Sequence, residues 1–274
     1  MEDYQFNSYS RNVLPPLDIL KKENLTRKAI SIVIPAYNEE NRVGDTLREL
    51  LPRLNDQDEV VVVFDGTDNT PSVVRSFGKK VDLVTSNKRL GKGGAILLGL
   101  QFCHNDIIGF IDADNAVPIN DVFRLASNVS AERPCVIGSR WVRSSIILKN
   151  EPFFNVLAGR IFHYIVYFML GITVKDTQCG AKFFLKEVIK EILPKITITS
   201  RMIDVALLYH LKLIGKQIFE VGVTWKHNDD TKLPILKAIP FMFATIMGLK
   251  MIHSKRLGDR SNLIRKFSDS FEHN

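Results

Sequence analysis

The sequence predicts an α/β protein built around a mostly parallel sheet that is flanked by helices. Between residues 29 and 141, short and nearly continuous apolar runs alternate with segments of helical periodicity. Continuous apolar strands are typical of a sheet covered on both faces, and parallel strands need helical connections between them. With 274 residues, 45% of them hydrophobic, the chain is long enough to form a substantial core around such a sheet.

The predicted elements follow one another in a regular order. Strands are expected where apolar, β-favouring residues run together, at 29–36, 59–64, 81–85, 107–111 and 135–138. Helices are expected where apolar residues recur at helical spacing, at 39–51, 93–103, 122–129 and 202–213. In open sheets of this kind, ligands bind outside the carboxyl ends of the strands, so the loops that follow the strands are the candidates for a site.

Two further segments are strongly apolar. Phe153–Leu170 is apolar around nearly its whole circumference, and 238–249 is a second apolar run flanked by Lys237 and Lys250. The uninterrupted apolar part of the first segment is too short to span a bilayer. Both segments fit either core helices or amphipathic helices that lie in a membrane interface.

The overall charge and the cysteines narrow the choice of partners. A formal net charge of +7 favours nucleic acid, anionic lipid or phosphorylated substrates. Zinc-finger and RNP-type patterns are absent, so we expect no nucleic-acid partner. The three cysteines lie far apart and suit buried thiols in a reducing cytosol. The first 28 residues lack the apolar core of a signal peptide, and we expect no spanning helix.

The strand predicted at 107–111 ends abruptly in Asp112-Ala113-Asp114. Carboxylates are costly inside a buried strand, so both should lie at its C-terminal end. Such a pair suits a hard cation, Mg²⁺ or Mn²⁺, and leaves coordination positions for substrate phosphates. The same two residues also fit a plain strand end that caps the next helix.

Two other strand ends carry polar groups. The first strand ends in PAYNEE, where Pro35 stops the strand, Tyr37 can flank a base and Glu39 can contact a ribose or nucleobase. The second strand ends at Asp65, which is the residue of its turn best placed to touch a ligand. Because the ends of parallel strands meet at one edge of a sheet, these groups should lie near the carboxylate pair.

A basic, glycine-rich loop precedes the helix predicted at 93–103. It contains Lys92 and Gly93 and suits an anion at a helix N-terminus, but it lacks a Walker A pattern. A contact with a pyrophosphate fits this loop. Together with the three strand ends, it indicates a nucleoside diphosphate ligand.

Seven phrases of the sequence, taken in order, resemble one family. They are PAYNEE, DGTDNT, RLGKGGAILLG, DADNAVP, GSR, DTQCGAKFF and IDVALLYHL. The set is similar to the inverting GT-A glycosyltransferases of family 2 over about residues 29–252. Within that family it looks most like the polyprenyl-phosphate hexosyltransferases, and among these the dolichyl-phosphate β-glucosyltransferases.

The resemblance implies an activity, a cofactor and a location. It implies inverting transfer of a hexose, by preference glucose, from a nucleoside-diphosphate sugar to a polyprenyl or dolichyl phosphate. The enzyme would be peripheral on the cytosolic face of the membrane and would hold Mg²⁺ or Mn²⁺ on Asp112 and Asp114. Mannosyl transfer from GDP-mannose, transfer to a non-lipid acceptor, and nucleotide-sugar binding without turnover are the alternatives.

The resemblance also assigns residues to the acceptor. Arg140 in GSR and Arg160 in the apolar helix match regions where related enzymes hold the acceptor phosphate with arginines, and Arg143 or Lys149 is the alternative to Arg160. A lipid phosphate is already anionic near neutral pH and needs no strong general base. The predicted catalytic residues are therefore Asp112, Asp114, Arg140 and Arg160.

The phrase DTQCGAK supplies Gln178 and Lys182, which the resemblance places near the acceptor and the donor sugar. Asp204 interrupts an apolar helix and must be paired or belong to the site, because an unpaired buried carboxylate is costly. The donor-binding residues are then Pro35, Tyr37, Glu39, Asp65, Lys92, Gly93 and Asp112.

The sequence departs from the family pattern at two positions. Phe64 stands where the family often has the first of two adjacent aspartates, and Ala116 stands where mannose-transferring relatives have a metal-holding glutamine. The second departure favours the glucosyl branch.

We divide the chain into an N-terminal extension (1–28), a catalytic domain (29–230, with a nucleotide-sugar half at 29–141 and an acceptor half at 142–230), an amphipathic interface region (231–252) and a charged tail (253–274).

Overall fold

The structure, a computed structural model, describes residues 13–14, 27–149, 152–226 and 235–253. The strands are β1 (Val13–Leu14), β2 (Ile30–Ala36), β3 (Glu59–Phe64), β4 (Asp82–Thr85), β5 (Ile107–Ile111), β6 (Cys135–Ser139), β7 (Ile146–Lys149), β8 (Ala181–Leu185), β9 (Ile218–Gly222) and β10 (Thr224–Lys226). The α-helices are α1 (Val43–Leu50), α2 (Thr70–Arg75), α3 (Gly91–Gln101), α4 (Ile119–Ser127), α5 (Phe153–Leu170), α6 (Lys186–Ile192), α7 (Ile203–Leu213) and α8 (Ile235–His253).

One mostly parallel sheet organises the described part of the chain, as predicted. Its strands are in the order β1-β9-β6-β8-β5-β2-β3-β4. β8 runs antiparallel to both of its neighbours, β5 and β6. β7 and β10 form a separate parallel pair. Strands from both halves of the chain therefore share the sheet.

Helices cover both faces of the sheet, as predicted. Side chains of β2 alternate between the faces, as the pleat of a strand requires. Ile32 and Ile34 belong to a core with α1 and α4, whereas Val33 belongs to a second core with α3, α5 and α7. The protein thus has two apolar layers, and the carboxyl ends of the central strands remain open between them.

The predicted strands are present with bounds shifted by no more than one residue. α1 begins later than predicted, at Val43, because the preceding turn leaves the helical path: Asn38 has a φ of 55°, and the Glu39 amide donates to Thr70 Oγ1 at 2.9 Å. β7, β8, β9 and β10 were not predicted. β8 and β9 are short, and β9 is interrupted by the buried Glu220.

The two apolar segments both form helices. α5 buries Phe162, Val166 and Leu170, and α8 packs against it with Ile246 buried. None of the described helices is both long enough and apolar enough to cross a membrane. The predicted extension at 1–28 lies outside the described residues except for β1, which pairs with β9, and residues 27–28. The charged tail also lies outside them except for its first residue, and the interface region is described only from Ile235.

Candidate active site

A cavity of about 470 Å³ lies at the carboxyl ends of the central strands, where open α/β sheets bind ligands. The predicted site residues that line it are Pro35, Tyr37, Glu39, Asp65, Lys92, Asp112, Asp114, Arg140 and Gln178. Gly93, Arg160 and Lys182 lie outside its lining. The sheet therefore brings most of the predicted residues together, from loops that are distant in sequence.

The carboxylate pair lies directly after β5. The Asp112 amide donates to the Gly180 carbonyl at 3.0 Å, and a Cβ on Gly180 would lie 2.0 Å from Asp112 Oδ2, so a larger residue there would displace the Asp112 carboxylate. Asp114 Oδ1 accepts from the Ala116 amide at 3.1 Å. Burial, and after it the charge of Asp112, raises the pKa of Asp114. The two carboxylates thus repel each other in a partly buried place.

This pair can hold a divalent cation only with help from other oxygen atoms. Within the described ranges, no three His, Cys, Asp or Glu side chains cluster in a way that suits a metal. Asn115 follows with a φ of 54°, and its buried Oδ1 has no hydrogen-bonding partner among the described residues. Two carboxylates that leave positions for substrate phosphates are typical of Mg²⁺ sites, so the residues fit such an ion.

Lys92 links the carboxylate pair to the interior. Its Nζ lies 2.8 Å from Asp112 Oδ1 and 3.4 Å from Asp204 Oδ2. Burial alone would lower the pKa of Lys92, but the carboxylates of Asp112 and Asp204 outweigh burial and raise it. Asp204 also accepts from Lys182, which confirms that this carboxylate is paired.

Lys182 lies behind the cavity instead of facing it. Its side chain is completely buried, and besides Asp204 it donates to the Cys179 carbonyl at 2.6 Å. It projects from β8, the strand inserted between β5 and β6. The structure does not bring Lys182 to the acceptor position that the sequence predicted, because the buried Asp204 takes its charge.

The start of α3 binds a carboxylate of the protein itself. Asp65 Oδ2 accepts from the amides of Leu90 and Gly91 at 2.7 and 2.9 Å and from the guanidinium of Arg89. The anion expected at this helix N-terminus is therefore, in the structure, Asp65. Gly93 faces the chain at residues 199–200, where a Cβ would lie 2.6 Å from backbone atoms of Thr199.

Arg140 reaches the cavity from the opposite side. Its Nε and Nη2 donate to the two oxygens of Asp176 at 2.8 and 3.0 Å, and its amide donates to Asp176 at 2.9 Å. Burial would raise the pKa of Asp176, but the charge and hydrogen bonds of Arg140 outweigh burial and lower it. The Asp176 amide donates in turn to Glu220 Oε1 of β9 at 3.0 Å, so β9 helps to hold Asp176, and through it Arg140, in position.

Arg160 approaches the cavity through aromatic rings. Its guanidinium carbon lies 5.2 Å from the ring centre of Trp141, which lines the cavity, and 5.7 Å from that of Tyr164. Arg143 and Lys149, the alternatives to Arg160, are exposed and lie outside the cavity lining. Arg160 therefore contacts a residue of the cavity lining, Trp141.

The sequence did not point to several lining residues. His163 lines the cavity, and its Nδ1 is buried and unpartnered within the described residues. Gln178 Nε2 is likewise buried and has no hydrogen-bonding partner among the described residues. Burial, and after it Arg160, lowers the pKa of His163. The sequence offers the same indication for His163 as for Arg160, because each is a polar residue that interrupts an apolar helix. The further lining residues that the sequence did not single out include Arg42, Arg89, Trp141 and Trp225.

The sheet, with the cavity at the carboxyl ends of its strands, has the GT-A fold. A solved structure with this fold is that of glucosyl-3-phosphoglycerate synthase from Mycobacterium tuberculosis in complex with Mn²⁺, UDP and glucosyl-3-phosphoglycerate. It superposes with a TM-score of 0.60 at 17% sequence identity and covers 85% of this chain and 82% of that one. The GT-A prediction is therefore confirmed.

The chain belongs to glycosyl transferase family 2, whose family model matches residues 31–193. It is 30% identical over 245 residues to the dolichyl-phosphate beta-glucosyltransferase of Homo sapiens, covering 82% of this chain and 74% of the relative. It is also 30% identical over 224 residues to the enzyme of the same name from Drosophila melanogaster, covering 74% and 69%. The family predicted from the motifs is thus confirmed.

Proposed function

We propose that this protein transfers glucose, with inversion, from a nucleoside-diphosphate glucose to the phosphate of a polyprenyl lipid such as dolichyl phosphate. The names of the two similar animal enzymes support both the sugar and the lipid phosphate. The UDP in the similar solved structure supports uridine as the nucleoside.

One observation on the cavity carries this proposal. Among the described residues, each lining carboxylate except Asp114 is ion-paired with a basic side chain. The pairs are Glu39–Arg42, Asp65–Arg89, Asp112–Lys92, Asp176–Arg140 and Asp204–Lys182. An alcohol acceptor needs a general base, whereas a phosphate oxygen is already anionic and needs none. A cavity whose carboxylates are neutralised in this way suits a phosphate acceptor.

The donor would bind at the carboxyl ends of β2, β3 and β5. Pro35, Tyr37, Glu39 and Asp65 would surround the nucleoside, with Lys92 near the diphosphate. Asp112 and Asp114 would hold Mg²⁺ or Mn²⁺, which neutralises the departing nucleoside diphosphate when bound. Two observations support this assignment. The pKa of Asp114 is raised by burial and by the charge of Asp112, so a cation there would stabilise its carboxylate. The buried Asn115 Oδ1 accepts no hydrogen bond from the described residues, so it can serve as an oxygen ligand.

The acceptor phosphate would bind at the opposite side, near Arg140 and Arg160. Guanidinium groups donate charge-assisted hydrogen bonds to phosphate oxygens, and Arg160 adds a cation beside the Arg140–Asp176 pair, which offsets the repulsion between two anionic substrates. The unpartnered polar atoms of His163 and Gln178 support this position, because buried polar atoms are costly unless a ligand completes their hydrogen bonds. Inversion then follows from in-line attack by the phosphate oxygen on the sugar.

The outer surface of α5 supports attachment to a membrane. Leu157, Ile161, Tyr164 and Phe168 recur at helical spacing on its exposed side, and Phe168 is 76% exposed. β7 adds a second exposed apolar surface with Ile146, Ile147 and Leu148. Because the other side of α5 lines the cavity, a lipid could place its phosphate in the cavity while its chain stays in the bilayer.

We infer further that this surface lies on the cytosolic face, with the protein bound peripherally. The three cysteines are free and buried, which supports a reducing compartment. The interface role of residues 231–252 stays part of the same proposal.

A turnover assay tests the proposal. Purified protein is supplied with Mn²⁺, dolichyl phosphate in detergent or vesicles, and labelled UDP-glucose or GDP-mannose. We expect a glucosyl lipid, formed with inversion, and little mannosyl lipid. Preferred use of GDP-mannose would favour the mannosyl alternative, efficient transfer to a soluble alcohol would favour a non-lipid acceptor, and donor binding without any transfer would favour a binding protein.

A further inference from the structure

Lys92 lies between the carboxylate pair and the buried Asp204. Its ammonium lies 2.8 Å from Asp112 and 3.4 Å from Asp204, and its side chain is 23% exposed. Asp112 is the more accessible partner, with 36% of its side chain exposed, whereas that of Asp204 is 2% exposed. Lys92 therefore has one partner that is open to solvent and one that is buried in the wall of the cavity.

The inner partner is fixed and the outer partner is not. Asp204 lies on α7 and is bound by Lys182, whose own side chain is completely buried. Asp112 is held through its backbone amide, but Lys92 is the one cation within ion-pairing distance of its carboxylate in the described structure. An ion that competes for Asp112 would therefore displace Lys92 from one carboxylate and leave it beside the other.

We propose that Lys92 is the resident counter-cation of the metal site and exchanges partners when the donor binds. Without metal, it neutralises Asp112. When a divalent cation and a nucleoside diphosphate bind, Lys92 leaves Asp112, keeps Asp204 and donates to the diphosphate. Asp204 is then a positioning residue, which holds Lys92 in reach of the diphosphate. This inference rests on the proposed metal and donor assignments.

The exchange has opposite consequences for two binding steps. Metal alone must compete with an ammonium for Asp112, so Lys92 weakens it. A diphosphate gains the ammonium as a partner, so Lys92 strengthens nucleotide binding once metal is present. Such coupling favours joint binding of metal and nucleotide over binding of the metal alone.

The variant Lys92→Met separates these two effects. Mn²⁺ binding is measured by electron paramagnetic resonance, first without nucleotide, and UDP binding is then measured calorimetrically at saturating Mn²⁺. We expect Mn²⁺ alone to bind at least about threefold more tightly than in the unaltered protein, since a partly exposed ion pair no longer competes. We expect UDP to bind at least about fivefold more weakly, since a charge-assisted contact is lost.

Lys212→Met is the matched control. Lys212 lies on α7, donates to the Leu170 carbonyl at 2.7 Å and lies outside the cavity lining, so this variant loses the same charge without touching either carboxylate. It should leave both affinities unchanged. Lys92→Gln, which keeps a polar side chain, should behave as Lys92→Met does, and thermal unfolding checks that all variants are folded.

The outcomes distinguish this inference from the proposed function. If Asp114→Asn abolishes Mn²⁺ binding but Lys92→Met and Lys92→Gln leave it unchanged or weaken it, the metal assignment stands and the exchange by Lys92 is wrong. If both affinities fall together in the Lys92 variants, Lys92 is a simple ligand-binding residue. If Mn²⁺ does not bind the unaltered protein even with UDP, the metal assignment fails, and the exchange fails with it.

Discussion

The proposed donor end of the cavity, around β5 and α3, and the proposed acceptor end, around α5, are built differently. Around β5 and α3, side-chain charges compensate one another: Lys92 lies between Asp112 and Asp204, and Asp65 is bound by Arg89 and two amides. Around α5, buried polar atoms of the cavity lack partners among the described residues, and the outer side of the same helix exposes a row of apolar side chains.

This difference concerns how far each end is oriented before its ligand arrives. A network of paired charges is already oriented before a substrate arrives. An unpaired buried donor or acceptor atom costs free energy, about 1–3 kcal/mol by comparison with other proteins, until a ligand or water completes it. Asn115 Oδ1 beside the carboxylate pair is one such atom, and His163 Nδ1 and Gln178 Nε2 are two more at the acceptor end.

The largest expected effect is at the donor end, with Asp114→Ala. Turnover should fall at least about a hundredfold, because the variant removes one of the two carboxylates that are proposed to hold the metal. Initial rates at saturating Mn²⁺ measure this. Since burial and Asp112 raise the pKa of Asp114, folding stability should not fall, and Asp82→Ala, at an exposed aspartate in β4, is the control. Full activity of Asp114→Ala in excess chelator would remove the metal from the mechanism.

The second prediction tests whether Arg140 serves the acceptor end and not the donor end. Arg140→Lys keeps a charge beside the buried Asp176 but loses the two-pronged hydrogen bonding. The Michaelis constant for lipid phosphate should rise about tenfold, since a charge-assisted hydrogen bond contributes on the order of 1.5–3 kcal/mol, while donor affinity stays nearly unchanged. Steady-state kinetics and calorimetry on one preparation give both numbers. Loss of donor binding with a normal acceptor dependence would assign Arg140 to the donor end.

A third effect tests the outer side of α5. Ile161→Glu combined with Phe168→Glu should weaken binding to vesicles of anionic lipid about tenfold, because two exposed apolar side chains no longer enter the interface. Sedimentation with the vesicles measures this. Phe102→Glu is a matched control, since Phe102 is also exposed but lies just after the C-terminal end of α3, outside the cavity lining. Equal loss in both variants would mean that α5 is not the contact surface.

The smallest effect concerns pH and two histidines, the partly buried His163 and the buried His210. Burial lowers the pKa of His163 in the cavity and of His210 in α7. The unfolded chain, with an ordinary histidine pKa near ~6.5, then binds more protons than the folded protein, so stability is complete above that pH and falls as the pH drops toward the lowered values. We expect His163→Gln and His210→Gln each to reduce the loss of melting temperature between about pH 7 and pH 5 by a few degrees at most.

A phosphate monoester should distinguish His163 from His210 through the pH dependence of the melting temperature. A bound phosphate monoester would favour protonated His163 and leave His210 unaffected, since His210 lies outside the cavity lining. Phosphate monoester should therefore flatten the pH dependence of the melting temperature in the unaltered protein and in His210→Gln, but not in His163→Gln. An equal response of all three would contradict the place of His163 in the acceptor end.

The sequence revealed the donor end more fully than the acceptor end for a physical reason. Asp65, Asp112 and Asp114 follow apolar strands directly, and the parallel order of those strands brings their ends together. Local periodicity was enough to find them. Even so, the sequence could not show that Asp65 binds the start of α3, because that contact joins residues 24 to 26 positions apart through side-chain geometry.

The acceptor end depends on contacts that no local pattern records. Gln178 lies in a loop that is held by Glu220, which accepts from the amides of Lys175 and Asp176. Lys182 lies on β8, which runs antiparallel to β5, and its side chain is buried in the interior. Short strands such as β8 and β9 become recognisable only when their partners are known. Lys182 was therefore predicted as a ligand-binding cation, whereas the structure uses it to hold Asp204.

The antiparallel insertion of β8 also has a consequence for how the chain is made. Strands β3, β4 and β5 can pair as they leave the ribosome, because each finds a neighbour among the residues already synthesised. β6 cannot, because its partners within the described structure are β8 and β9, which come later. Until residue 185 has emerged, the nascent chain carries β6 as an unpaired apolar strand and an open edge on β5, which is the condition in which chains aggregate or recruit chaperones. Slowing translation between β6 and β8 should therefore lower the yield of folded protein more than slowing it within β2 to β5.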